Sequence, residues 1–195
     1  TYMYQRVIKR GLDILLCGAA MLIIWPLFLL IAILIKLDSK GPVYFKQKRV
    51  GIHKEYFNLY KFRSMRVNDR QTTGWSTNSD PRKTKFGSFI RKFSIDELPQ
   101  FFNVLKGDMS LVGPRPELPF FVNRFKESIP LYMVKHQVRP GITGWAQVNG
   151  LRGDTSIKER IEHDVYYIEN WSILLDIKIL FLTLFKGFVN QEKLN

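Results

Sequence analysis

The sequence predicts an α+β fold, mostly helical, in which a re-entrant membrane helix hairpin precedes a compact cytoplasmic domain with a small β-hairpin and amphipathic interfacial helices. Three observations carry that prediction. Ile14 to Ile35 form an uncharged apolar run with Pro26 inside it and basic residues on both flanks. Two segments rich in aromatic and β-branched residues follow it closely. The remainder alternates between stretches with helical spacing and loops rich in glycine and proline. The expected division is residues 1–40 for the hairpin and 41–195 for one domain ending in an interfacial helix.

The first element is set by its flanks. About 20 apolar residues suffice to cross a bilayer as a helix, but Pro26 removes a backbone donor and its ring clashes with the preceding turn. Arg6, Lys9 and Arg10 precede the run, and Lys36, Lys40, Lys46, Lys48 and Arg49 follow it. Positive charge marks the cytoplasmic side of a membrane segment, and here it stands at both ends. The expectation is therefore helix, break, helix, dipping into one leaflet and returning; a straight span and a buried core helix are the alternatives. The apolar part is too long for a signal-peptide core and no small-residue cleavage pattern follows, so it is expected to stay in the mature protein. The chain opens at Thr1 rather than methionine, which leaves upstream membrane segments open.

Gly41-Pro42 closes that section. Val43 to Phe45 and Tyr56 to Phe62 read as the strands of a β-hairpin around Gly51. Asn68 to Lys85, with Asp80-Pro81 as a turn signal, reads as a loop. Phe86 to Leu105 reads as helix in two pieces broken near Pro99, and Gly107 to Pro119 as an ordered loop. Phe120 to Glu127 can be helical, Val138 to Gly153 is a second glycine-rich segment, and Ser156 to Ile168 a second amphipathic helix. The tail from Ile173 to Phe188 is apolar nearly all round, with a narrow polar strip of Asp176, Thr183, Lys186 and Asn190. Such a helix must be covered, and a bilayer surface is the favoured cover.

Of 195 residues, 30 are Lys or Arg and 17 Asp or Glu, a net charge of +13 that attracts polyanions. Beside an apolar anchor, anionic lipid and phosphorylated substrates fit that charge better than nucleic acid, for which no binding motif is present. The lone cysteine, Cys17, lies in the apolar run, so no intramolecular disulfide forms, and His53, His136 and His163 lack metal-site spacing.

Chemistry concentrates in Arg91 to Gln100, where Asp96 and Glu97 follow a basic pair and precede Pro99. A carboxylate can attack phosphorus or hold Mg²⁺, and phosphoryl transfer also needs cations for the phosphate oxygens. Arg91 and, on a proline-stiffened loop, Arg115 can grip two such oxygens each. An Asp-Glu pair beside arginine is by itself usually a helix surface or a capping box. A non-catalytic basic module binding acidic lipids would explain the charge and the apolar ends, but not this pair or the Gly113-Pro114-Arg115-Pro116 loop.

The combined motifs resemble the bacterial sugar transferase family, the monotopic phosphoglycosyl transferases. They are Tyr60 to Met65, Asp96 to Gln100, Asn103 to Ser110, Leu111 to Pro116, Arg139 to Gly150 and Asp164 to Ile168, and the resemblance runs from about Tyr4 to Phe188. It implies transfer of a sugar 1-phosphate from a UDP-sugar to undecaprenyl phosphate, releasing UMP, by a two-step route with Mg²⁺. Mapped by motif, Asp96 is the nucleophile that forms the phosphosugar–enzyme intermediate, and Glu97 holds Mg²⁺ or orients the acceptor, so both are metal candidates. Arg91 and Arg115, and further Lys61 and Arg63, are phosphate contacts; Arg139 and Gln147 belong to the nucleotide end. The resemblance places the protein on the cytoplasmic face of the bacterial inner membrane, as a first step of glycan assembly. A hexose such as glucose or galactose is the favoured sugar, while the pathway and a homodimer stay open. In one departure, Trp25 precedes Pro26 where many members have serine.

Overall fold

A computed structural model describes residues 2–67, 81–153 and 155–187. Most of the loop expected over Asn68 to Lys85, the Asp80 half of its turn signal, and tail residues Phe188 and Asn190 lie outside the described residues.

Helix α1 spans Tyr2–Asp38 with Pro26 inside it. The expected break at Pro26 is therefore corrected: the helix carries through. Its packing supplies the reason. Asp13, Cys17, Phe28, Ile31 and Ile35 are buried, with Met21 and Ile24 partly so, a stripe at steps of three and four along one helix face. Pro26 lies on the exposed side. An interior proline costs roughly 3 kcal/mol, whereas each large apolar side chain buried along this stripe returns about 1.5–3 kcal/mol. Polar ties run the same way: the Arg10 guanidinium donates to the carbonyls of Val104 and Leu105, and Asp13 Oδ1 accepts the Leu111 amide at 3.2 Å. The helix thus touches the domain on both sides of Pro26. Its opposite face leaves Leu15, Leu22, Ile23, Leu30, Ile33 and Leu37 exposed.

Strands β1 (Tyr44–Val50) and β2 (Tyr56–Phe62) form the expected antiparallel hairpin, with β1 running five residues beyond the predicted segment. The pairing sets Lys61 opposite Phe45 and Arg49 opposite Phe57. Lys61, Leu59, Phe57, Gln47 and Arg49 thus share one face of the ribbon. Helix α2 (Lys85–Lys92) is capped by Thr84, whose hydroxyl accepts the Gly87 amide at 2.9 Å. A 3₁₀ turn (Ile95–Glu97) separates it from α3 (Gln100–Lys106), the two helical pieces expected around Pro99.

The segment read as an ordered loop and the second glycine-rich segment each hold a short strand. Strands β3 (Ser110–Val112) and β4 (Gly141–Thr143) pair in parallel, Ser110 with Gly141 and Val112 with Thr143. Helices α4 (Pro119–Phe125), α5 (Trp145–Val148), α6 (Ile157–Glu169) and α7 (Ile173–Leu182) complete the order, with a π-helical turn over Thr183–Gly187. Ser156 and Ser172 cap α6 and α7 by accepting the amides of Glu159 and Leu175.

The core lies between α1, β2, α3, β3 and α7, around Cys17, Leu59, Val104, Met109, Val112 and Ile179. Of the polar strip expected on the tail, Asp176 and Thr183 turn inward, whereas Lys186 is exposed. Asp176 accepts from Lys9, from the Tyr167 hydroxyl at 2.7 Å and from Trp171 Nε1 at 3.1 Å, and Thr183 bonds Thr143 at 2.7 Å. Leu174, Ile177 and Phe181 face outward.

Candidate active site

Ser94 starts the local geometry. It adopts a left-handed conformation (φ 55°, ψ 22°), which for a residue with a Cβ costs about 1–2 kcal/mol. That reversal ends α2 and starts the 3₁₀ turn, so Asp96 and Glu97 project from a tight corner instead of a helix surface. Ile95 and Leu98 on either side pack against the cluster that joins Phe62 of β2 to Ile90 of α2 and to α1. Asn103, fully buried, fastens α3 to the same strand: its Oδ1 accepts the Tyr60 amide at 3.0 Å and its Nδ2 donates to the Asn58 carbonyl at 2.8 Å.

Lys61 and the corner consequently face each other. Glu97 Oε1 accepts from Lys61 Nζ at 3.3 Å and from Arg115 Nη2 at 3.0 Å. Lys61 and Glu97 are only 17% and 18% exposed, so water screens this charge group weakly. Asp96 is buried beside it. Burial pulls the Lys61 ammonium below its ordinary range, while Glu97 and Asp96 oppose that shift. The Glu97 carboxylate raises Arg115 further.

Arg115 owes its position to a backbone lock. The Gly113 amide donates to the Thr143 carbonyl at 2.9 Å, and the Gly141 amide to the Pro114 carbonyl at 2.9 Å. The strands approach so closely that a Cβ on Gly113 would come within 2.5 Å of the Arg139 carbonyl oxygen. Glycine is required there by contact.

The structure gathers Asp96, Glu97, Lys61 and Arg115 in one place. It also brings Gln147 near: a narrow cavity beside Arg115 is lined by Glu117, Lys135, Gln147, Arg160 and Asp164. Among the described residues, the buried Gln147 Oε1 has no hydrogen-bond partner. Lys135 and Asp164 pair at 3.8 Å, and burial lifts the Asp164 carboxyl to about 6. Arg91 sits in the last turn of α2, where its carbonyl accepts the Ser94 amide at 3.2 Å.

Two residues stand elsewhere. Arg63 spends its guanidinium on the turn after α1, donating to Pro42 O at 2.6 Å, Lys40 O at 2.8 Å, and Ser39 Oγ and O at 2.8 and 2.7 Å. Arg139 donates Nε to Gly107 O at 2.9 Å, at the end of α3. Sequence reasoning missed the roles of Asn103, Glu117, Lys135 and Arg160 at or beside the site. Of these, Arg160 and Glu117 form an ion pair at 3.3 Å. The helical spacing that puts Asp164 and Arg160 one turn apart on α6 was a usable signal.

Among the described residues no three His, Cys, Asp or Glu side chains converge as a metal cage. Mg²⁺ is commonly bound through one or two carboxylates together with substrate phosphates, and adjacent Asp96 and Glu97 offer two carboxylates of that kind.

A family model described as bacterial sugar transferase matches residues 4–190. The chain is 50% identical to the UDP-glucose:undecaprenyl-phosphate glucose-1-phosphate transferase of Escherichia coli strain K12, over 96% of this chain and 41% of that protein. It is 54% identical to the UDP-N-acetylgalactosamine-undecaprenyl-phosphate N-acetylgalactosaminephosphotransferase of Aeromonas hydrophila, over 91% and 43%. Identity to the exopolysaccharide production protein PSS of Rhizobium leguminosarum bv. phaseoli is 43%, over 93% of this chain and 98% of that protein. The chain thus spans about two fifths of the first two relatives.

Proposed function

The chain belongs to the bacterial sugar transferase family, and from that premise we propose that it moves a sugar 1-phosphate from a UDP-sugar to undecaprenyl phosphate, releasing UMP. The observation that carries the reading is the charge group at the corner, where Glu97 lies between Lys61 and Arg115 with Asp96 buried beside it. Two cations held over adjacent carboxylates in a poorly screened site suit a phosphoryl group passing between anionic partners.

In the first step an Asp96 carboxylate oxygen attacks the phosphorus that bears the sugar. An acyl-phosphate P–O bond forms, the bridging P–O bond of the pyrophosphate breaks, and UMP leaves with the bridging oxygen. In the second step a phosphate oxygen of undecaprenyl phosphate attacks the same phosphorus and releases the Asp96 carboxylate, giving undecaprenyl diphosphate-sugar. Lys61 and Arg115 bind the phosphate oxygens in both steps, and Glu97 keeps the two cations aimed when the site is empty. Asp96 and Glu97 would hold Mg²⁺, whose charge would further neutralise the phosphate oxygens. Arg91 approaches the same phosphate, and Gln147 presents its amide to the nucleotide end from the cavity beside Arg115.

The acceptor is a lipid with its phosphate at headgroup level, so the site must be held at that depth. The outward apolar faces of α1 and α7 support a monotopic placement on the cytoplasmic face of the inner membrane. Because α1 packs on the domain both before and after Pro26, a straight crossing would carry one end of the domain through the bilayer, so both ends of α1 stay on one side.

The test is UMP release by detergent-solubilised protein given undecaprenyl phosphate, Mg²⁺ and a panel of UDP-sugars, beginning with UDP-glucose and UDP-N-acetylgalactosamine. Release that depends on the lipid and on one sugar is the expected result. Silence from folded protein across the panel would contradict the reading and favour a lipid-binding module without catalysis.

A further inference from the structure

Arg49 stood in the sequence as one of several basic residues flanking the apolar run. Its neighbours in β1 behave that way: Lys46 and Lys48 lie over the rings of Tyr60 and Tyr56, and both are exposed. Strand alternation turns Arg49 to the other face, the one that carries Lys61. There its Nη1 donates to the Pro116 carbonyl at 3.0 Å and its Nη2 to Gln47 Oε1 at 2.6 Å. The next residue continues the attachment, since the Val50 amide donates to the Glu117 carbonyl at 3.0 Å.

These bonds complete a clamp around Arg115. On its N-terminal side, Gly113 and Pro114 are bonded to β4; on its C-terminal side, Pro116 and Glu117 are bonded to Arg49 and Val50. Pro116 has no N–H of its own with which to join a strand ladder. Its carbonyl is anchored by the guanidinium. Arg115 is thereby presented from a short span fixed at both ends, and its Nη2 reaches Glu97 at 3.0 Å. Arg49 also belongs to the same charge group. Burial and, second to it, the neighbouring Arg115 lower it to about 10, against the opposing pull of Glu117 and Glu97.

We propose that Arg49 is a positioning residue for the phosphate site, fixing through the Pro116 carbonyl the loop that aims Arg115 at the transferred phosphoryl group. The proposal rests on the transferase reading above. Arg49 acts through Arg115: its Nη1 and Nη2 are committed to Pro116 and Gln47, and its buried Nε has no partner among the described residues. The planar fork fits this role: it spans two acceptors in fixed directions, whereas a lysine reaches one of them with a flexible stem.

A double-mutant cycle on the full chain tests this, with UMP release normalised to folded protein and melting temperature measured for each variant. Arg49→Gln is expected to lower kcat/KM by about a hundredfold, the scale on which a misplacement of about 1 Å acts. Arg49→Lys, which keeps the charge and can still reach one carbonyl, is expected to recover part of that loss. Arg115→Gln alone should be at least as severe, and adding Arg49→Gln to it should cost no more than about threefold further. Multiplicative losses in the double variant would overturn the proposal, as would wild-type kcat/KM in Arg49→Gln. A loss explained wholly by a smaller folded fraction would overturn it too. An inactive wild-type chain would instead overturn the transferase reading, and the proposal with it.

Discussion

Replacing Asn103 with leucine is expected to loosen the candidate site without touching any residue that meets substrate. Leucine keeps the approximate volume of this fully buried position but removes both hydrogen bonds to β2. The Tyr60 amide and the Asn58 carbonyl are left facing an apolar side chain, and each stranded backbone group costs about 1–3 kcal/mol. Asp108, which also accepts from Asn103 Nδ2 at 3.2 Å, loses that partner as well. A total of about 4 kcal/mol is the central value for the two backbone groups. For a chain of this size it corresponds to a fall in Tm of roughly 8–16 °C. Thermal unfolding in detergent, followed by intrinsic fluorescence, reads the shift directly. The functional consequence follows from geometry, because the corner holding Asp96 and Glu97 leads directly into α3 while β2 carries Lys61. A fall below about 2 °C in a cooperatively unfolding variant would refute the assignment of Asn103 as the tie between them.

Lys61 and Arg63 are neighbours in one motif with opposite expected behaviour. Lys61→Met should abolish most UMP release while leaving Tm within a few degrees, whereas Arg63→Met should lower Tm through the Ser39 to Pro42 turn; equal loss of activity at equal Tm would contradict the split. His136 is buried, and burial pushes it down to about 4 from an ordinary 6.5. The unfolded chain therefore binds the proton first, so stability is present above pH about 6.5 and declines as pH falls toward 4, by up to about 3 kcal/mol. Denaturation midpoints between pH 7 and 4.5 should show a shallower acid decline in His136→Asn than in the parent, and parallel curves would contradict this assignment. Leu22→Glu, on the exposed face of α1, should reduce the fraction retained by membranes after alkaline washing without lowering the cooperativity of unfolding.

Much of the fold was legible because it is written in local periodicity. The α6 helix announces itself by amphipathic spacing and a serine cap, and β2 by its aromatic and β-branched run. Strands β3 and β4 were not legible. Each has three residues, both sit among glycine and proline, and their pairing joins segments about thirty residues apart that no local pattern connects. Pro26 was overread for the opposite reason: its local cost is real, but a packed stripe on both sides of it outweighs that cost. At the site, the Asp96–Glu97 pair and Arg115 stood out by motif. The tie made by Asn103 and the clamp made by Arg49 did not, since both depend on which way a side chain faces once strands and helices have met. Arg63 looked like a phosphate ligand for the same reason, and only its four acceptors show where its guanidinium is committed.

The central claim is that Asp96 carries the phosphosugar. The direct measurement is incubation with UDP-sugar labelled in the phosphate next to the sugar, without lipid acceptor, followed by denaturation and quantification of label on protein. The account predicts label bound to the parent chain together with an equivalent of UMP, discharged on addition of undecaprenyl phosphate and absent from Asp96→Asn. Label retained by Asp96→Asn, or UMP released only when the lipid is present and never with labelled protein, would contradict it.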